Sequence, residues 1–204
     1  MRKVIVNNIV SIDGRYAASD GNPLVLQMDA AFDRENLASL ERAEVVLLGR
    51  DSFDGFSAYW PFVADAPAPD DPSAPEARAL DEVNRAISRR YNAVRKAVVT
   101  DRGPISTENP WFATTTVLAR NEVVAWISQE RDHGTGDIVV FGSHILWNSL
   151  LAAGMVDELH LMVSPNPLGD GVPLFTGAAE LELRDVRTFE NSSNVQLRYA
   201  AARR

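Results

Sequence analysis

The apolar positions of this chain follow two rhythms. Some stretches are apolar almost without a break, and others return to an apolar residue every three or four positions. The unbroken β-branched and aliphatic runs predict buried strands. They are KVIVNNIV over about 3–10, EVVLLGR ending at Gly49, KAVVT ending at Thr100, then TTTVLA, DIVVFG and DELHLMVSP. The helical rhythm appears in DAAFDRENLASLERA, which sets Ala31, Phe32, Leu37 and Leu40 near one face behind Asp29, a residue type that caps helix N-termini. It returns in EARALDEVNRAISRRYN, with Leu80, Val83 and Ile87 inward, and in NEVVAWISQER, with Asn121 as cap and Val124 and Ile127 inward. A last helix is predicted for SHILWNSLLAAG, capped by Ser143 and closed by Gly154. LELRDVRTFE and NVQLRYAAA, joined by the turn-rich ENSSN, predict a closing antiparallel pair.

Strands that alternate with helices imply a parallel sheet covered on both faces. The predicted class is therefore α/β, a three-layer α/β/α arrangement. Its sheet has about eight strands, mostly parallel with an antiparallel C-terminal edge. The 204 residues suit one domain. The stretch APAPDDPSAPEA has few groups that pack, so a solvated loop insertion is predicted at about 63–78 within that domain.

Composition narrows the chemistry. Hydrophobic residues make up 46% and charged residues 24%, an ordinary globular balance. There is no cysteine, which removes disulfides and thiolate metal sites and fits a cytoplasmic protein. No apolar run approaches the roughly 18 residues of a membrane helix, and MRKVIVNNIVSIDG reads as a first strand instead of a signal peptide. A formal net charge of -8 argues against nucleic acid as a partner. His133, His144 and His160 lack ligand spacing, so no metal site is expected.

In open α/β sheets, ligands gather beyond the carboxyl ends of the strands. Three predicted strand ends carry residues suited to phosphate: Gly49-Arg50-Asp51-Ser52, Thr100-Asp101-Arg102 and Gly142-Ser143-His144. At Gly142 the missing Cβ lets a ligand approach the backbone. Ser143 then opens a helix whose first N–H groups lack partners and carry partial positive charge, a seat for pyrophosphate. Arg50 and Arg102 offer planar guanidiniums, and Ser52 and Thr100 hydroxyls. Each piece also has a structural explanation, as a cap, a turn or a solvated arginine; the recurrence at one sheet edge carries the argument. GRDSFDGF lacks the Lys-Ser/Thr pair of a P-loop, and no GxGxxG follows the first strand.

NNIVSIDGR, LLGRDSFDGFSAYWP, DIVVFGSHILWNSLL and GMVDELHLMVSPNPLGDGVPLF together resemble the C-terminal reductase domain of the riboflavin-biosynthesis deaminase-reductase. They resemble still more its stand-alone relatives in the dihydrofolate reductase-like superfamily. The resemblance implies NADPH as hydride donor. It places Gly49, Arg50, Asp51 and Ser52 near the cofactor phosphates and Thr100, Asp101 and Arg102 by the adenosine 2′-phosphate. Arg120 would face adenine, and Gly142, Ser143, His144, Ile145 and Leu146 the pyrophosphate. Ile9 and Val10 would offer backbone to the nicotinamide carboxamide. Two departures stand out: Phe141 occupies the first place of a usual glycine pair, and Asp51 is acidic where a basic residue often stands.

The same resemblance puts the first helix on the substrate side. Asp29 and Asp33 are the candidate catalytic carboxylates there, although Asp29 also fits a helix cap and Asp33 a solvated helix residue. Tyr59 and Trp60 are candidates to stack on a flat substrate, or to plug the core under the insertion. The implied activity is reduction of a small heterocycle, the nearest named case being 5-amino-6-(5-phosphoribosylamino)uracil. Dihydrofolate or another pterin is the first alternative, and a non-catalytic nucleotide-binding oligomer the second. The resemblance also implies a homodimer with its seam at DELHLMVS and the C-terminal strands.

Overall fold

A computed structural model describes residues 2–71 and 74–202. The strands are β1 (Val4–Ser11), β2 (Arg15–Ala17), β3 (Ala43–Gly49), β4 (Arg95–Val99), β5 (Thr115–Leu118), β6 (Asp137–Phe141), β7 (Glu158–Ser164), β8 (Val172–Pro173), β9 (Leu181–Thr188) and β10 (Val195–Ala201). The helices are α1 (Ala30–Arg42), α2 (Arg50–Val63), α3 (Glu82–Ala93), α4 (Val123–Arg131) and α5 (His144–Ala152). The main sheet is eight-stranded, in the order β5-β4-β3-β6-β1-β7-β10-β9. The pairings from β5 through β7 are parallel, and β10 runs antiparallel to both β7 and β9. The predicted antiparallel edge is thus present. A second, two-stranded sheet joins β2 to β8.

Both sheet faces are covered, which explains the unbroken apolar strands. In β3, Val45 and Leu47 point into one core and Val46 and Leu48 into the other. Val123 and Ile127 of α4 and Trp147 and Leu150 of α5 close the first core. Leu40 of α1, Phe53 of α2 and Ile87 and Tyr91 of α3 close the second. Leu40, Phe53 and Ile87 are at most 1% exposed, and burial of each such side chain contributes about 1.5–3 kcal/mol.

Several expectations are corrected. α2 was not anticipated, because Gly55 and Pro61 break the helical pattern and Pro61 lies inside the helix. Its last carbonyls are held from outside. Ser88 Oγ donates to Trp60 O at 2.5 Å, Asn92 Nδ2 to Pro61 O at 3.2 Å and Arg85 Nη1 to Ala64 O at 2.8 Å. Side chains of α3 therefore do what a C-terminal cap would do. The N-cap of α4 is Glu122, not Asn121, and Val123 at 5% exposure faces the core where Val124 at 40% does not. The insertion is not wholly a solvated loop. Pro75–Leu80 form a 3-10 helix and Ala77 is buried, while positions 72 and 73 lie outside the described residues.

Candidate functional site

The carboxyl ends of β3, β4 and β6 open onto a cleft of about 510 Å³. It gathers Gly49, Arg50, Asp51, Ser52, Thr100, Arg102, Arg120, Ser143, His144, Ile145 and Leu146, all singled out from sequence. Two helices, α2 and α5, point their N-termini into it. Their junction is a crossed pair of serine hydrogen bonds. Ser143 Oγ accepts from the Gly49 N–H at 2.9 Å, and Ser52 Oγ accepts from the Ser143 N–H at 2.8 Å.

This corrects the expectation that Ser143 caps its own helix. Ser143 stands at the N-cap of α5 in the left-handed region, φ 53°, and makes no side-chain cap bond. Gly49, at the N-cap of α2, has no side chain to offer. Two helix termini are thus left without side-chain caps, and their dipoles point at the same space. The close approach depends on glycine. Gly142 has φ 53°, and a Cβ there would lie 3.0 Å from Ser52 Oγ and 3.6 Å from the Tyr16 hydroxyl. Asn8, buried in β1, steadies that peptide by donating to Gly142 O at 3.0 Å.

Sequence reasoning missed Asn8 and Tyr16. An amide inside an apolar parallel strand needs a partner, so the two Asn in KVIVNNIV were a usable signal. Tyr16 carried none. It reaches the cleft because β2 folds over it, and its ring stacks on His144 with centroids 4.8 Å apart and 21° between planes. His144 Nε2 lies 3.0 Å from Leu174 O, which ties α5 to the segment after β8. Burial pushes the Tyr16 hydroxyl above its ordinary pKa, so it stays a neutral donor.

The arginines at the rim all have carboxylate partners. Arg50 Nε lies 2.9 and 3.0 Å from the Asp54 oxygens, Arg102 Nη2 2.5 Å from Asp51, and Arg120 Nε 3.3 Å from Asp101. Thr100 Oγ1 accepts from the Arg102 N–H at 3.0 Å, shaping its own turn. Asp101 does not line the cleft; it also accepts from the Arg120 N–H at 3.0 Å.

Ile9 and Val10 bury their side chains away from the cleft. Their backbone is the relevant part. β6 pairs with β1 only as far as Asn7, whereas β7 continues to Ser11. Among the described residues, the β6-facing edge of β1 beyond Asn7 has no strand partner, so amide groups are available there.

The substrate-side candidates lie apart from this cleft. Asp29 is the N-cap of α1, accepting from Ala31 N at 3.0 Å and Phe32 N at 3.1 Å, and from Ser192 Oγ at 2.6 Å. Burial opposes its ionisation, but these hydrogen bonds outweigh burial and hold the carboxyl below its ordinary pKa. Asp33 is not the solvated helix residue of the alternative reading. It is buried, pairs with Arg78 and accepts from Asn84 Nδ2 at 3.0 Å. Burial raises its pKa, with Asn84 and Arg78 opposing. Tyr59 is half exposed near this pair. Trp60 packs on the second core, 5.5 Å from Tyr91 between centroids, so it is the core plug of the alternative reading. Among the described residues, no three His, Asp or Glu side chains gather to hold a metal, and no helix is long and apolar enough to cross a membrane.

A mostly parallel α/β/α sheet with this strand order and an antiparallel edge defines a dihydrofolate reductase-like fold. Within that class, the chain belongs to the RibD C-terminal domain family, whose profile matches residues 2–197. Among curated proteins it is 24% identical to the uncharacterized protein YyaP of Bacillus subtilis, over 97% of this chain and 94% of that protein. Among solved structures it resembles a putative riboflavin biosynthesis protein from Shewanella sp. PV-4, with TM-score 0.67 and 18% identity over 98% of this chain and 99% of that one. It also resembles the Thermotoga maritima diaminohydroxyphosphoribosylaminopyrimidine deaminase/5-amino-6-(5-phosphoribosylamino)uracil reductase, with TM-score 0.63 and 13% identity, covering 98% of this chain but 57% of that one. Enterococcus faecalis dihydrofolate reductase complexed with NADP(H) gives TM-score 0.58 at 14% identity, over 98% of this chain and 96% of that one.

Proposed function

We propose that this protein is an NADPH-dependent reductase of a small heterocyclic substrate, of the type that reduces 5-amino-6-(5-phosphoribosylamino)uracil. One observation carries the reading: the crossed Ser52–Ser143 bonds leave two helix N-termini without side-chain caps over one cleft. Such a pair of termini suits a pyrophosphate, because unpartnered amide N–H groups and aligned peptide dipoles both favour negative charge. The cleft volume of about 510 Å³ suits an extended ligand.

When bound, NADPH supplies the hydride. The residues around it have separate tasks. The first turns of α2 and α5 bind the pyrophosphate. Val124 and Ile145, both exposed in the cleft, flank adenine, with Arg120 beside them. Arg102 and Arg50 take the 2′-phosphate. The backbone edge of β1 beyond Asn7 orients the carboxamide, and Tyr16, stacked on His144, shields that end from water.

Asp33 favours a pyrimidine-type substrate over a pterin. An amidine edge needs both oxygens of a carboxylate acceptor, and Asp33 is buried with its Oδ2 accepting from both Arg78 and Asn84. Arg78 and Tyr59 present donors instead, which match oxo or phosphate groups. The second copy of a homodimer would cover the exposed Leu183 and Val186 of β9.

NADPH titration should quench tryptophan fluorescence saturably, since Trp147 lies 5.8 Å from His144 between ring centroids. NADPH absorbance should then fall with a phosphoribosylaminopyrimidine and not with dihydrofolate. No quenching at millimolar NADPH would sink the reading. Binding without turnover of any pyrimidine or pterin would leave the non-catalytic alternative.

A further inference from the structure

The cleft rim carries three guanidiniums, each matched by one carboxylate: Arg50 by Asp54, Arg102 by Asp51 and Arg120 by Asp101, with Asp51 alone of the three carboxylates lining the cleft itself. Its formal charge therefore cancels, in a molecule whose net charge is already -8. A rim built simply to attract phosphate would leave positive charge in excess. The pairs are not equally held. Arg50 is the most enclosed, at 22% side-chain exposure, and adds a 3.4 Å bond from Nη1 to Gly103 O. Asp51 is the loosest carboxylate, at 89% exposure, and Arg102 Nη2 is 2.5 Å from it. Both Asp51 and Arg102 line the cleft.

We propose that Asp51 is a specificity-determining residue that occupies Arg102 in place of a ligand phosphate and so narrows the preference between NADPH and NADH. This rests on the nucleotide-reductase reading above. For a 2′-phosphate to reach Arg102, Asp51 must let go. The exchange is reversible because an exposed ion pair is weak. The phosphate gains the charge-assisted bonds that Asp51 gives up, but it also faces the released carboxylate nearby. The gain from a 2′-phosphate is therefore smaller than a free arginine would provide. NADH, lacking that phosphate, leaves the pair intact.

Dissociation constants for NADPH and NADH, measured by tryptophan quenching, test this. The wild-type protein is expected to prefer NADPH by less than about tenfold, and Asp51→Asn to widen the preference by about fivefold, the scale of one exposed ion pair. The change should fall on NADPH alone. In an Arg102→Gln background, Asp51→Asn should have a much smaller effect, because only the repulsion between the carboxylate and the phosphate is then left to relieve. Asp132→Asn, at the far end of α4, changes net charge equally and should leave the ratio where it was. If both nucleotides bind but Asp51→Asn leaves the ratio unchanged, or changes it as much without Arg102, the assignment to Asp51 is overturned and the reductase reading stands. If neither nucleotide binds the wild-type protein, the reductase reading falls and takes this inference with it.

Discussion

Lys96 is a lysine held inside the sheet, away from water. Its side chain is 1% exposed, its Nζ donates to Thr114 Oγ1 at 2.8 Å, and the Trp111 ring centroid lies 4.7 Å away. Among the described residues, no carboxylate pairs with it to offset the loss of water. Burial pulls its pKa from 10.5 down to about 7. The sign follows from proton counts. Between about pH 7 and 10.5 the unfolded chain holds this proton and the folded chain does not, so stability rises with pH across that window. Below about pH 7 both states hold it, and the full cost of a buried ammonium is present. Lys96→Met is therefore expected to melt several degrees higher than wild type near about pH 6, with the gain shrinking toward about pH 9. Thermal melts of the two proteins across pH give the difference curve; a flat difference would contradict the argument. Lys96 drew no attention in the sequence, because KAVVT reads as a strand whatever its lysine does.

The strand–helix junctions are where local signals and long-range contacts part company. DIVVFG followed by SHILWNSLLAAG showed a strand, a glycine turn and a helix, and all three exist. The serine signal was read correctly as a helix start and wrongly as a cap, because its hydroxyl is drawn to Gly49 N, 94 residues away. α2 was illegible for a related reason. Its aromatic stretch with Pro61 stays helical because Ser88, Asn92 and Arg85 satisfy its last carbonyls, and no window around residue 60 contains them. The α5 junction also sets a prediction. Gly142→Ala forces a Cβ to within 3.0 Å of Ser52 Oγ at φ 53°. It should cost about 1–2 kcal/mol of stability and weaken NADPH binding more than that loss explains, since Ser52 must release Ser143 N. Melts and titrations on the same variant separate the two effects.

For the molecule as a whole, the edge formed by β9 and β10 matters most outside the cleft. Leu183 and Val186 are 50% and 52% exposed, on a strand that also carries Glu182, Arg184, Asp185 and Arg187. The expected homodimer would bury these two apolar side chains. Light scattering should report a dimer for the wild-type protein and a monomer for the Leu183→Asp, Val186→Asp double variant, with its melting temperature largely kept. A wild-type monomer at high concentration would remove the expectation.

The α/β layering, the parallel core of the sheet and the phosphate-suited strand ends could be read from residue order alone. Those features depend on periodicity and on Gly, Ser and Arg placement within a few residues, and such patterns act locally. Which hydroxyl serves which amide, which carboxylate occupies which arginine, and where Tyr16 and Asn8 point became visible with the folded chain. Each joins residues distant in sequence, and its geometry is set by how the layers pack, so a linear pattern has no means of recording it.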